Sequence, residues 1–391
     1  MTPSSIRKNN IRMVLNLLKS GAKTVPELAE RLNLSATAIS NILSDLTQYN
    51  IVSACGNKTT RAGAGRKATL FSLNSSYGII ILIEFASNDE HNYYRVFACD
   101  INENVLQVKA IPPIANEADE TLTSLILGAI DEILAEPALK GMPLLNICIA
   151  APGIIDESTG VLVATCLKKY EGEYNLKEIL QTRYNVSVYI HGLLSSAAKA
   201  ELKRGAFVGG CKLGILINID SGTGMSFVMG DKPFTGAHGF AGEIGFLTTI
   251  STEGYHKSLA ERAATGLGYE ISTETIRQNV LMRRNARGSE YTVKDLLADF
   301  GNKDDIVVQE VINHAYKAGS FLKNISLLLD PEIIVISGFI TRFGDFYLDI
   351  IKGCLSKGVQ GKTKIVFSDL KDPIYEGLLD TAILSVFESL E

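Results

Sequence analysis

No stretch of eighteen apolar residues occurs anywhere in the 391-residue chain. The longest runs, such as IIILI at 79–83, have the length of a strand, so no membrane-spanning helix is expected. The first ten residues, MTPSSIRKNN, contain no apolar signal core, which argues against secretion and for a cytoplasmic protein. The six cysteines lie far apart and none forms a C-x-x-C pair. Neither a disulfide framework nor a cysteine zinc site is expected, and reduced thiols fit best. Low-complexity tracts are also missing. What is present is ample core material: 46% of residues are apolar and 21% charged, the balance of a globular protein with two or three domains.

Positive charge is unevenly placed. Residues 1–75 hold ten Lys and Arg against three acids, a net +7. The remainder holds 28 bases and 40 acids, a net −12. A basic head on an acidic body suggests a nucleic-acid-binding module.

The head reads as three amphipathic helices. Ile11, Val14, Leu15 and Leu18 share one helical face, and Gly21 ends it. Thr24 caps a second helix with Glu27 three residues on, the pattern of a capping box, and Pro26 in the first turn. The third carries Ile39, Ile42, Leu43 and Leu46 as its buried stripe. Two strands follow, around 51–54 and 68–73, on either side of a Gly- and Arg-rich loop. Helix-turn-helix plus basic hairpin is a winged helix, here residues 1–75. The third helix fits a major groove, with Thr37, Ser40 and Asn41 available to bases or phosphates. Arg61, Arg66 and Lys67 in the wing suit phosphates or a narrow minor groove. Double-stranded operator DNA is the expected partner, and a docking domain for protein is the alternative.

Beyond residue 75 strand-like runs alternate with helical stretches, so the body, residues 76–391, is expected to be α/β with two lobes. One lobe is expected at roughly 76–190 plus the C-terminal helix, the other at 191–371. Helices are expected near 119–135, 194–203, 258–280 and 307–329, and the sequence leaves open whether residues 287–302 are a mobile connection.

Five segments of the chain carry a resemblance: GRKATLFSLN at 65–74, APGIID at 151–156, SGTGMSFVMGDKPFTG at 221–236, HGFAGEIGF at 238–246 and LDPEIIVISG at 329–338. In order and spacing they resemble the ROK family of repressors, open reading frames and kinases. The resemblance implies an actin-like, sugar-kinase-type fold with a sugar cleft between two lobes. It also implies that Glu243 and Glu261 stand where the family's glutamates accept hydrogen bonds from sugar hydroxyls, with His191 and His238 as further candidates for the cleft lining.

Three departures from the family pattern bear on activity. Where its kinases carry an Asn-Asp pair supplying the catalytic base, this chain reads IHGLLSSAAKAE at 190–201. Gly192 and Leu193, or His191 and Gly192, fill those positions. The first phosphate turn, EFASNDEHN at 84–92, has no glycine to let backbone N–H groups approach a phosphate. The second, Ser221-Gly-Thr-Gly224, is kept, as a hairpin turn serving the fold. The family's structural zinc needs a His and three Cys, but Phe246 replaces the His and no Cys lies between Leu247 and Glu261. Neither metal nor cofactor is therefore expected. The expectation is a non-enzymatic transcriptional regulator, most simply a repressor of carbohydrate metabolism, that senses a sugar or sugar derivative and assembles as a homodimer or homotetramer. The rivals are an active sugar kinase with a DNA-binding head and a regulator controlled by a protein partner.

Overall fold

The computed structural model describes residues 3–58, 67–87, 92–111, 119–156, 159–164, 175–247, 266–286, 291–355 and 362–389. The head begins with α1 (Pro3–Lys19), followed by β1 (Lys23–Thr24), α2 (Val25–Leu32) and α3 (Ala36–Gln48). The capping box at Thr24 forms: its hydroxyl accepts from the Glu27 N–H, and the Glu27 carboxylate accepts from the Thr24 N–H at 2.8 Å. Ser35 caps α3 by accepting from the Ala38 N–H. The α3 stripe of Ile39, Ile42, Leu43 and Leu46 is buried. Strands β2 (Val52–Lys58) and β3 (Ala68–Leu73) pair antiparallel, and β1 adds to β3. β2 runs four residues further than expected, into the Gly- and Arg-rich stretch. Lys58 at its end donates to Glu27 at 2.6 Å, which ties the wing to α2.

The first lobe holds β4 (Ile79–Ser87), β5 (Asn92–Cys99), β6 (Val105–Ile111), α4 (Asp119–Leu134), β7 (Leu144–Ala151), a small hairpin of β8 (Ile154–Asp156) and β9 (Val161–Ala164), α5 (Leu176–Tyr184) and β10 (Ser187–Gly192). The second begins with α6 (Leu193–Arg204). It continues through β11 (Cys211–Ile219), β12 (Thr223–Gly230), β13 (Lys232–Phe234), α7 (Leu267–Glu270), α8 (Thr273–Arg283), α9 (Val293–Gly301), α10 (Asp305–Leu329), β14 (Ile333–Ser337), α11 (Gly344–Leu355) and β15 (Lys364–Phe367). The last helix, α12 (Pro373–Glu388), returns to the first lobe's sheet. Residues 293–301, which the sequence left open between a mobile connection and an ordered one, are helical. The Thr292–Asp295 capping box starts that helix and Leu296 anchors it.

Each lobe contains the same sheet. In the first the order is β10-β7-β4-β5-β6, in the second β15-β14-β11-β12-β13. In both, an antiparallel meander of three strands is extended by two parallel ones on the side of its first strand. Parallel central strands are covered on both faces, so they are continuously apolar rather than alternating. The run at 79–83 shows this. Ile79, Ile81 and Ile83 are buried with Ile126, Ile130 and Ile133 of α4, while Ile80 and Leu82 are buried with Leu378, Ala382 and Ile383 of α12. In the second lobe Ile215, Ile217, Ile334 and Ile336 pack with Val311, Ala315 and Leu322 of α10.

Head and body share a core. Val14, Leu15 and Leu18 of α1 belong to the same buried cluster as Ile80, Leu82 and the α12 side chains. Ion pairs reinforce the contact: Arg12 to Glu388 at 3.2 Å, and Lys19 to Asp380 at 3.4 Å and to Glu103. Among the described residues no helix is long and apolar enough to cross a membrane.

Candidate functional site

A cleft of about 1320 Å³ lies between the lobes. It opens where the parallel strands end: Glu84 of β4, Gly192 of β10, Asn218 next to the end of β11 and Ser337 of β14 all line it. Ligands in open α/β sheets bind outside those carboxyl ends, because loops there diverge and leave a crevice.

Glu243 reaches the cleft through a glycine lock. Gly242 has φ +96°, and a Cβ there would lie 2.1 Å from the Met225 carbonyl oxygen. Only glycine lets this loop close on β12, where the Met225 N–H donates to the Gly242 carbonyl at 3.1 Å. The following residue, Glu243, is thereby fixed in the lining. Its carboxylate has no hydrogen-bond partner among the described residues, and burial pushes it up to about 7. A second glycine of the same loop, Gly239 at φ +80°, sits against the Ile155 carbonyl of the β8–β9 hairpin. The loop therefore touches both lobes. His238 lies beside it, exposed, and lines the cleft.

His191 is not among the lining residues. Its Nδ1 stands 3.5 Å from Lys199 Nζ on α6. It was a candidate for the cleft lining; its neighbour Gly192 is there instead. Glu261, Arg61 and Arg66 lie outside the described residues, as does the tip of the first phosphate turn, residues 88–91.

The position expected for a catalytic base is occupied by Gly192 and Leu193, which start α6 and line the cleft with Leu194 and Ser195. Leu194 packs against Gly224, where a Cβ would come within 2.8 Å of its methyl group. The second phosphate turn is bound into the fold by its own residues. Asp220 accepts from the Ser221 N–H at 2.9 Å, so a carboxylate already holds a donor that a phosphate would need. The Thr223 hydroxyl donates to the Ile271 carbonyl at 3.1 Å.

The first phosphate turn brings a group the sequence reading missed. Glu84 and Arg95 face each other across β4 and β5, and Arg95 Nη2 donates to Glu84 at 2.6 Å and to Asp372 at 2.8 Å. Asp372 precedes α12 but makes no side-chain cap; its carboxylate holds Arg95 instead. Glu84 is only 2% exposed. Burial, reinforced by Asp372 and opposed by Arg95, pushes it up to about 7. Its signal in the sequence was a lone Glu ending an apolar strand run, unexplained by the core.

In the head, Thr37, Ser40 and Asn41 are exposed on α3, on the face opposite its buried stripe, and Lys67 is exposed before β3. Among the described residues no group of three or more His, Cys, Asp or Glu is placed to hold a metal ion.

A helix-turn-helix joined to two lobes with matching sheets and a cleft between them is an actin-like, sugar-kinase-type body carrying a DNA-binding type of head. Residues 92–376 match the ROK family profile, and the chain belongs to the ROK family. Residues 12–57 also match a profile described as the RNA polymerase III subunit RPC82 helix-turn-helix domain. The chain is 22% identical over 364 residues to the xylose repressor of Caldicellulosiruptor bescii, covering 89% of this chain and 87% of the relative. It is 27% identical over 252 residues to a glucokinase of Halalkalibacterium halodurans, covering 62% of this chain and 76% of the relative. The crystal structure of a ROK family transcriptional regulator, a homolog of the E. coli MLC protein, superposes with a TM-score of 0.75 at 18% identity and covers 98% of both chains.

Proposed function

We propose that this chain is a DNA-binding transcriptional repressor whose body senses a sugar or sugar derivative and transfers no phosphate. The observation that carries the reading is the union of head and body. An exposed α3 face suited to a major groove sits on a module that shares its core with α12, and α12 starts at the cleft. The xylose repressor relative supports it, since the match spans 89% of this chain and so reaches beyond the kinase-like body into the head. Thr37, Ser40 and Asn41 are assigned to bases and phosphates, and Lys67, with Arg61 and Arg66, to the backbone. Glu243 and His238 are assigned to the sugar, with Glu261 as a further hydroxyl acceptor. Two heads are needed for specificity in a genome, so the working form is a homodimer or homotetramer.

The glucokinase relative favours a second reading, a sugar kinase with a DNA-binding head. Against it, Gly192 and Leu193 offer no base, and carboxylates of Asp220, Glu84 and Asp372 line both phosphate positions. The test is nucleotide turnover by the full chain with a sugar panel, alongside binding to duplexes selected from a random pool. Repressor function predicts selective, salt-sensitive DNA binding and no sugar-dependent turnover. Turnover of about 1–100 per second, the usual range for kinases, would establish the second reading instead.

A further inference from the structure

Two atoms beside the first phosphate position have no hydrogen-bond partner among the described residues although both are buried: Glu84 Oε2 and Arg95 Nε. Their neighbours, Oε1 and Nη2, are bonded to each other at 2.6 Å, and both side chains line the cleft. One orphan is an acceptor and the other a donor. A hydroxyl group answers both, since its oxygen accepts from Nε–H while its proton goes to Oε2. A phosphate answers only the donor. It has no proton for Oε2, and it would meet two carboxylates, Glu84 and Asp372, for one guanidinium.

A second carboxylate with no hydrogen-bond partner among the described residues, that of Glu243, lines the same cleft from the other lobe's loop. The cleft's volume of about 1320 Å³ exceeds the roughly 300–1,000 Å³ of an ordinary small-ligand pocket. That volume has room for more than one sugar ring.

We propose that Glu84 and Arg95 form a second hydroxyl-reading subsite, and that the effector is an uncharged saccharide of two or more units, one held at Glu243 and the next at Glu84 and Arg95. The Arg95 guanidinium is oriented for this role from three sides, by Glu84, by Asp372 and by the Phe97 ring 5.2 Å beneath it. This inference rests on the sugar-sensing reading above and deepens it.

The experiment is calorimetry on the full chain with xylose, glucose and N-acetylglucosamine, the β-1,4-linked dimer of each, and glucose 6-phosphate. At least one dimer is expected to bind tenfold or more tightly than its monomer, with the phosphate weakest. Glu84→Gln, which keeps shape but lowers acceptor strength, and Arg95→Lys, which keeps charge but removes Nε–H, are each expected to erase that advantage, roughly ten- to hundredfold. Both should leave monomer affinity within about twofold, whereas Glu243→Gln weakens monomer and dimer alike. Equal wild-type affinity for monomers and dimers overturns the proposal without recourse to any variant. So does a dimer advantage that survives both substitutions, which means that water alone serves the orphans, or a sugar phosphate that binds best. Monomers bound through Glu243 with no second subsite would leave the sugar-sensing reading standing. If no sugar binds at all, that reading falls and this one with it.

Discussion

Lys19 of the head and Asp380 of the last helix stand 3.4 Å apart, each about 10% exposed, where α1 crosses α12. Asp380 also receives Lys203 and Arg204 from the end of α6, and Glu103 receives Lys19 and Arg204. The other end of α6 is Leu193, at the cleft. One four-turn-or-shorter rigid element thus runs from the ligand's expected position to the ion pairs that seat the head.

Removing Asp380 tests this connection. Asp380→Asn leaves Lys19, Lys203 and Arg204 clustered with less compensating charge. Part of the cluster is exposed, so the expected loss of stability is about 1–3 kcal/mol, below that of a fully buried pair. Sugar affinity should stay near wild type, while the change in DNA affinity on adding sugar should shrink. Thermal melts and paired binding titrations measure both. An unchanged sugar effect on DNA would remove the network from the coupling.

DNA recognition divides between bases and backbone. Asn41→Ala should cost about 1–3 kcal/mol on the preferred duplex and flatten discrimination at one position. Lys67→Glu should weaken all sequences alike and make the salt dependence shallower. Competition titrations at several salt concentrations separate the two, and identical effects from both changes would contradict the assigned roles.

The pH dependence follows from Glu243, whose carboxyl is raised to about 7. Its folded value lies above its unfolded one, so its contribution to stability is full below about 4.5 and is lost as pH rises through 7. Glu84 adds in the same direction. Sugar hydroxyls donate to the ionised form, so ligand binding must expel the proton. Affinity should be roughly tenfold higher at pH 8 than at pH 6, with proton release visible as buffer-dependent binding enthalpy. A flat profile would place the sugar elsewhere.

Gly242→Ala addresses the loop that aims Glu243. A left-handed φ costs a non-glycine residue about 1–3 kcal/mol, and the Cβ would also strike the Met225 carbonyl. Sugar affinity should collapse while DNA binding persists, because the head packs on α12 and not on this loop. Loss of both activities would mean that the whole body had unfolded, which a melt would reveal.

Much of this was legible in the sequence for local reasons. The capping box at Thr24 and Glu27, the α3 stripe and the strand at 79–83 depend on neighbours a few residues away, and each formed as read. The place of Glu243 in the cleft was legible through the family resemblance. What stayed hidden depends on long-range pairing. Glu84 meets Arg95 only through the β4–β5 register, and Asp372 joins them from 277 residues beyond Arg95. His191 and Gly192 are adjacent, yet only Gly192, the last residue of β10 and the cap of α6, lines the cleft. The helix at 293–301 was legible and went unread: Val293, Leu296, Leu297 and Phe300 stand at i, i+3, i+4 and i+7, and Thr292 and Asp295 form the capping box that starts it.

The central claim is that sugar binding in the cleft changes the grip of the head on DNA without nucleotide chemistry. The most direct measurement is fluorescence anisotropy of the full chain on its selected duplex, with and without a sugar that raises its melting temperature, in the absence of nucleotide. The account predicts a change in Kd of about five- to 150-fold, the span of 1–3 kcal/mol of coupling, and an equal change in sugar affinity when DNA is bound. A DNA affinity that ignores every sugar the cleft binds would contradict it.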